Sequence, residues 1–293
     1  MSTSTSNGNG YGKATTHGRA QPRERLPNAK QLLHDFWNEK SCGEELLLTG
    51  DSAAAYERQR QLRYELEPFI PAFAEFPRWA GSRVLEIGVG LGADHQSFAA
   101  AHAELHGIDL TERAVEHTRA RLAKFGLTSK LRVADAEALP YPDNHFDLVY
   151  SWGVLHHSPD TERAVGEVWR VLRPGGTAKL MIYHTWSVVG LMLWMRYGLL
   201  SGRPRRPLAD IYAQHLESPG TKTYTEAEAR ALCSKFSRTS IETVLTHGDL
   251  LASGAGQRHR GLALNVARRI WPRRLIRRLF PNNGLFMLIT AIK

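Results

Sequence analysis

Cysteine is nearly absent from this chain: its 293 residues hold only Cys42 and Cys233. Two thiols so far apart in sequence offer neither a disulfide framework nor a metal-ligand spacing, so no metal site is expected and a reducing cytoplasm fits. Long apolar runs are missing as well. Residues 186–200 are apolar apart from Arg196, but fifteen residues fall short of the roughly 20 that cross a bilayer. Residues 1–28 are rich in Ser, Thr, Gly and Asn and lack the apolar centre of a secretory leader, which reads as a disordered tail. Acid is missing from one long stretch. Between Arg258 and Phe280 stand eight arginines (258, 260, 268, 269, 273, 274, 277 and 278) with no Asp or Glu; of a net charge of +9, this leaves +1 for the rest. That distribution argues against a protein-wide polyanion surface and for one local anionic partner.

Hydrophobic residues make up 42% of the chain, enough for one large domain with additions. Residues 31–76 read as helical, with Phe36, Trp37, Tyr56 and Tyr64 as anchors, until Pro68, Pro71 and Pro77 interrupt the pattern. From Ser82 strands and helices alternate, the sign of a parallel α/β sheet. Strands are expected at 83–87, 104–109, 131–134, 146–151 and 177–183, and helices at 94–101, 112–125 and 161–172. Ser158-Pro159-Asp160 caps the last of these, and Pro174-Gly175-Gly176 ends it. A helix is expected at 225–236, and strand-like 240–246 and 285–292 flank the arginine-rich insert as a closing pair. No internal repeat is present. The chain thus divides into a tail (1–28), a helical cap (29–77), an α/β core (78–184), a lid or substrate insertion (185–223) and a C-terminal part (224–293) carrying a basic amphipathic insert (252–283).

The most informative run is Glu86-Ile87-Gly88-Val89-Gly90-Leu91-Gly92, a buried strand ending in a glycine turn. Such a turn lets a ligand approach the backbone closely. A pyrophosphate site keeps negative charge away from the turn and the following helix N-terminus. Here Glu86, and Asp94 at the start of the next helix, would repel phosphate and attract an ammonium or sulfonium. The implied ligand is S-adenosylmethionine. Asp109, 17 residues beyond Gly92 at the end of the second strand, suits ribose hydroxyls; the plainer alternative is a cap for the helix beginning near Thr111. Asp135 is placed to accept from an adenine amino group and Ala136 to offer a backbone donor. Ser151 and Trp152 leave the fourth strand, where the reacting methyl should lie, although an aromatic there also suits the core.

Taken together with Gly107-Ile108-Asp109-Leu110, Ala134-Asp135-Ala136, Asp147-Leu148-Val149 through Leu155-His156-His157, and Val171-Leu172-Arg173-Pro174-Gly175-Gly176, this run resembles the class I S-adenosylmethionine-dependent methyltransferases. The likeness covers about residues 80–184 and points to the small-molecule group that includes the ubiquinone and menaquinone C-methyltransferases. It implies a Rossmann-like seven-stranded sheet in order 3-2-1-4-5-7-6 with the last strand antiparallel, an N-terminal helical arm, and inserts after strands 5 and 6. It also implies that Gly88, Gly90 and Gly92 pass under the methionine end of the cofactor, that Asp109 holds the ribose, and that Leu110 adjoins it. Residues 29–77, 185–239 and 247–284 match no substrate-recognition pattern.

A sulfonium methyl is already activated, so displacement needs an acceptor held close, aligned and dry, with a base only for acceptors of high pKa. Candidate bases are His157, Tyr183 and His184, with His156 and His215 nearby in sequence. A structural role competes for each histidine of the His156-His157 pair. The polar run from His215 to Tyr224 reads as a loop able to close over the site. Tyr56, Arg60, Arg63 and Tyr64, at helical spacing, form an aromatic-arginine face suited to a cofactor carboxylate or to simple packing. In the insert Val266, Ile270, Trp271, Leu275, Leu279 and Phe280 recur between arginine pairs, with Pro272 starting a second helical piece. That pattern suits an anionic membrane surface contacted through 258–280; a solvated helix packed on the sheet is the plainer reading. Nucleic acid is disfavoured, since the fourth strand leads into Ser-Trp-Gly. The expectation is a cytoplasmic, peripheral methyltransferase acting on a small lipophilic acceptor. The alternatives are a nucleic-acid methyltransferase and a non-catalytic cofactor-binding regulator.

Overall fold

Seven strands among the described residues form one sheet, and their alternating side chains explain why it is buried on both faces. The computed structural model describes residues 29–252 and 268–293. The expected tail over 1–28, and Arg258, Arg260 and Val266 of the insert, lie outside them. The strands are β1 (Arg83–Ile87), β2 (Glu104–Asp109), β3 (Lys130–Val133), β4 (Phe146–Trp152), β5 (Leu172–Tyr183), β6 (Arg238–Val244) and β7 (Phe286–Ile292). Their order is 3-2-1-4-5-7-6; β1 to β5 pair in parallel and β7 runs antiparallel to both neighbours. This is the sheet that the family resemblance implies.

Successive strand residues point to opposite faces. Leu85, Ile87, Val149, Leu180 and Ile182 pack beneath helices α7 (Thr161–Val171) and α10 (Glu226–Leu232). Val84, Leu148, Tyr150, Trp152, Met181 and Tyr183 pack on the other face, with Phe98 of α5 (Ala93–Ala100) and Leu122 of α6 (Glu112–Lys124). Thr111 and Asp160 cap α6 and α7, as their sequence positions suggest, by accepting from the amides of Ala114 and Arg163.

The N-terminal segment departs from one broken helix. It folds as α1 (Ala29–Glu39), α2 (Glu44–Leu47), α3 (Ala53–Leu66), α4 (Ile70–Ala74) and a 3₁₀ turn (Phe76–Trp79). Gly43 and Gly50 both take positive φ, and Ser52 starts α3 afresh by accepting from the Ala55 amide at 3.1 Å. Pro71 does not break the pattern; it occupies the first turn of α4, where no amide is needed.

A second departure lies at Pro174-Gly175-Gly176. Helix α7 ends at Val171 and β5 begins at once, so these residues belong to the strand. Register moves from Phe146↔Leu172 to Leu148↔Thr177, five residues against two, and the excess bulges outward at Gly175, with φ of 74°.

Beyond β5 the apolar stretch forms α8 (Val188–Trp194), which continues into a π turn (Met195–Leu199); α9 (Leu208–His215) follows. Helix α10 is shorter than the expected 225–236, with Thr225 and Glu228 forming a reciprocal capping box. Pro272 caps α11 (Arg273–Leu279). No helix among the described residues is long and apolar enough to cross a membrane.

Candidate functional site

The turn between β1 and α5 needs its glycines. Gly88, Gly90 and Gly92 take φ of 81°, 51° and 75°, and a Cβ on Gly88 would stand 2.1 Å from Val154 Cγ2. The amides of Gly88 and Val89 donate to the Ile108 carbonyl, tying the turn to β2. Asp109 accepts from the Gly90 amide at 3.2 Å and from the amide and hydroxyl of Thr111 at 3.0 and 2.9 Å. Burial raises its pKa against those hydrogen bonds.

Arg121, fully buried on α6, is the hub beneath this turn. It donates to the Leu91 carbonyl at 2.9 Å, the Tyr56 carbonyl at 2.7 Å and the side chains of Gln59 and Gln96. It therefore bolts the α3 arm to the glycine turn. Burial lowers its pKa to about 10, so it stays charged at neutral pH.

The two acids expected to present negative charge behave differently from that expectation. Asp94 is consumed: it accepts from Arg63 at 2.9 and 3.2 Å, Tyr64 at 3.1 Å and Tyr150 at 2.9 Å. Glu86 faces His95 Nδ1 at 2.8 Å, and burial, with Asp94 and Asp109 nearby, pushes its pKa well up. An incoming cation would favour its ionised form.

A cavity of about 430 Å³ runs from this turn across the carboxyl ends of β1, β4 and β5. Its lining takes in Glu86, Gly88, Gly90, Gly92, Asp109, Leu110, Asp135, Ala136, Trp152, His157 and Tyr183. Lys30 of α1 reaches over one end and pairs with both Asp135 and Glu137. Ser151 and His184 are not in the wall. The Ser151 hydroxyl donates to the Ile87 carbonyl within the sheet, and His184 Nδ1 meets the Gly284 carbonyl at 3.2 Å. The side chains of these two sequence candidates bond within the scaffold. His215 stacks on Tyr197 at 3.8 Å, also outside the lining.

The far end of the cavity holds two acids that sequence reading did not single out. Glu217, from the polar run after α9, accepts from the Tyr183 hydroxyl at 2.7 Å and lies 3.4 Å from His157 Nε2. Burial raises its pKa, but the donors His157, Tyr183 and Cys42 outweigh it and hold the carboxylate below its usual range. His157 Nδ1 lies 2.8 Å from the Ser218 hydroxyl, so both ring nitrogens are engaged. His156, His157 and Glu217 also form the one trio among the described residues with three possible metal-ligand atoms, all within 4.8 Å. His156 is fully buried against Tyr183, its ring nitrogens without partners.

Glu67, at the end of α3, is the second acid. One of its oxygens makes no hydrogen bond and stands 3.4 Å from Arg63. Burial pushes its pKa from 4.5 to about 7, with Arg63 opposing. A group protonated more readily when folded loses stability as pH rises between those two values. Glu67→Gln should therefore stabilise the protein at pH 8 by on the order of 3 kcal/mol, the gain fading below about pH 4.5. Urea unfolding across that range is the measurement; a gain that ignores pH contradicts the assignment.

Residues 85–180 match a family described as methyltransferase domain, on the sheet order and glycine turn given above. This chain carries a class I S-adenosylmethionine-dependent methyltransferase domain. The 27-O-demethylrifamycin SV methyltransferase of Amycolatopsis mediterranei is 32% identical over 154 residues, 52% of this chain and 50% of that protein. The 24-methylenesterol C-methyltransferase 2 of rice (Oryza sativa subsp. japonica) is 34% identical over 114 residues, 38% of this chain and 31% of that one. The chain spans about half the length of the curated relatives it matches. Among solved structures, the methyltransferase bound to the Haloferax volcanii Trm112 activator superposes with a TM-score of 0.54 at 18% identity, covering 82% of this chain and 93% of that one. At such identity this likeness speaks for the fold. The methyltransferase domain places its glycine turn and its cavity at the carboxyl ends of the strands, where open α/β sheets take ligands.

Proposed function

We propose that this protein transfers the methyl group of S-adenosylmethionine to a small lipophilic acceptor. The observation that carries the reading is the continuity of the cavity, from the glycine turn and Asp109 to the aromatic chamber of Trp37, Trp152, Tyr183 and Phe286. In this reading Gly88, Gly90 and Gly92 let the methionine portion lie against backbone, and Glu86 meets its ammonium. Arg63, a half-buried cation lining the same wall and paired with Asp94, meets its carboxylate. Asp109 takes the ribose hydroxyls, with Leu110 beside it, and Asp135 and Ala136 take the adenine under the Lys30 bridge. The helical cap over 29–77 and the insertion over 185–223 close the acceptor end.

The chemistry asks little of the protein beyond placement. A lone pair of the acceptor attacks the methyl carbon in line with the C–S bond, whose electrons return to sulfur and leave a neutral thioether. Where the acceptor carries a proton, the His157–Glu217 pair in the cavity wall receives it, at the edge where Nε2 faces the carboxylate. The relatives that act on a rifamycin and on a sterol intermediate, by their names, support an acceptor of apolar bulk. Tritium-labelled methyl transfer into a cell extract, followed by solvent partition, tests the proposal. Counts in the organic phase support it, counts in nucleic acid redirect it, and bound cofactor with no counts marks a binding module.

His157→Gln should lower turnover by roughly 10²–10⁴ with cofactor affinity unchanged. Single-turnover kinetics on the identified acceptor is the check. Undiminished turnover would mean that the acceptor needs no base from this pair.

A further inference from the structure

Exposed large apolar side chains are not scattered over this protein. Of the eleven among the described residues, eight fall in two stretches: Trp186, Leu191, Leu199 and Leu200 around α8, and Ile270, Leu275, Leu279 and Phe280 around α11. Far apart in sequence, the two stretches are neighbours in the fold. Val188 and Met192 of α8 pack with Ile276 of α11, Leu250 and Trp271, and the Asn283 side chain donates to the Trp186 carbonyl at 3.0 Å. The exposure is large where it matters: Leu200 is 82%, Ile270 76% and Trp186 62% open.

Charge on these elements has one sign. Residues 186–207 and 250–293 contain no Asp or Glu. Arg269, Arg274, Arg277 and Arg278 are exposed and make no ion pair among the described residues. Arginines left unneutralised beside open apolar side chains are the composition of an interfacial surface, where apolar insertion and attraction to anionic headgroups add. A polyanion such as RNA would use the arginines but would leave Trp186, Leu200, Ile270 and Leu279 in water.

We propose that the α8–α11 face of this protein docks on an anionic lipid bilayer. The same elements supply part of the cavity wall: Val189 of α8 lines it with Thr246, His247 and Gly248, and the Val189 amide donates to Asp249 at 3.0 Å. A lipid-soluble acceptor entering at Val189 would then pass from bilayer to chamber without crossing water. That route rests on the methyl transfer proposed above, whereas adhesion to lipid does not.

The test is flotation of the full chain with vesicles of mixed phosphatidylglycerol and phosphatidylcholine, against vesicles of phosphatidylcholine alone, without cofactor. The parent should float with the anionic vesicles, less at high salt, and stay down with the neutral ones. Replacing Arg274, Arg277 and Arg278 by Gln should weaken partitioning roughly a hundredfold; Leu275→Ser with Leu279→Ser should also weaken it. Both variants should bind S-adenosylmethionine as the parent does, which shows that they are folded. A parent that never floats, or variants that float as well as the parent, overturns the proposal. So does binding to RNA that persists while vesicles are ignored. A parent that floats yet transfers no methyl group leaves the docking surface standing and removes the acceptor route.

Discussion

Asp109→Ala should weaken S-adenosylmethionine binding by at least about a hundredfold in titration calorimetry. Two losses combine at this position. If the carboxylate holds both ribose hydroxyls, each charged hydrogen bond is worth about 1.5–3 kcal/mol. The same oxygens also accept from the Gly90 amide and from Thr111, so truncation frees the turn that faces the methionine end. Asp109→Asn keeps the shape and an acceptor oxygen while losing the charge, and should fall between parent and alanine. If calorimetry returns parental affinity for both variants, Asp109 serves only the turn and the cofactor lies elsewhere in the cavity.

Arg121→Leu should cost the fold about 3–5 kcal/mol, because it removes four hydrogen bonds from a charged donor and leaves their buried acceptors unpaired. The leucine would fill part of the space but would strand the carbonyls of Tyr56 and Leu91 and the side-chain oxygens of Gln59 and Gln96. Unfolding in guanidinium should show the loss directly, and the melting temperature should drop by roughly 10 °C. Arg121→Lys should rescue little, because an ammonium cannot address four acceptors in the guanidinium's plane. Cofactor affinity should fall in the same variants, since Arg121 joins Leu91 of the glycine turn to the α3 arm that carries Arg63. Parental stability in Arg121→Leu would show that these contacts are not held in solution.

Local chemistry explains how much of this was legible beforehand. The strands of the core announce themselves through apolar runs bounded by turn residues, and the glycine turn through residues that few other conformations demand. The order of strands is another matter: nothing within β7 states that it inserts between β5 and β6, and that knowledge came from family resemblance. The arm was misread because helical periodicity over 31–76 conceals Gly43 and Gly50, whose positive φ divides it. Ser151 and His184 stand at strand ends, where sequence reads them as site residues; their side chains bond to the carbonyls of Ile87 and Gly284, which only the fold reveals. Glu67 and Glu217 lie in segments without motif, and only the fold carries them to the chamber. Arg121 reads as one more basic residue on a helix polar enough to lie in water; its burial depends on contacts from three separate segments, α3, the glycine turn and α5.

The position of β7 also constrains the order in which the molecule can be made. β5 and β6 never pair with each other; both bond to β7, which stands between them. During synthesis the Thr177–Tyr183 edge therefore stays open until residues 286–292 have left the ribosome. For that interval an apolar strand presents unsatisfied amides and carbonyls to any passing chain. A nascent molecule stalled before Phe286 would be the form most exposed to aggregation and most in need of a chaperone.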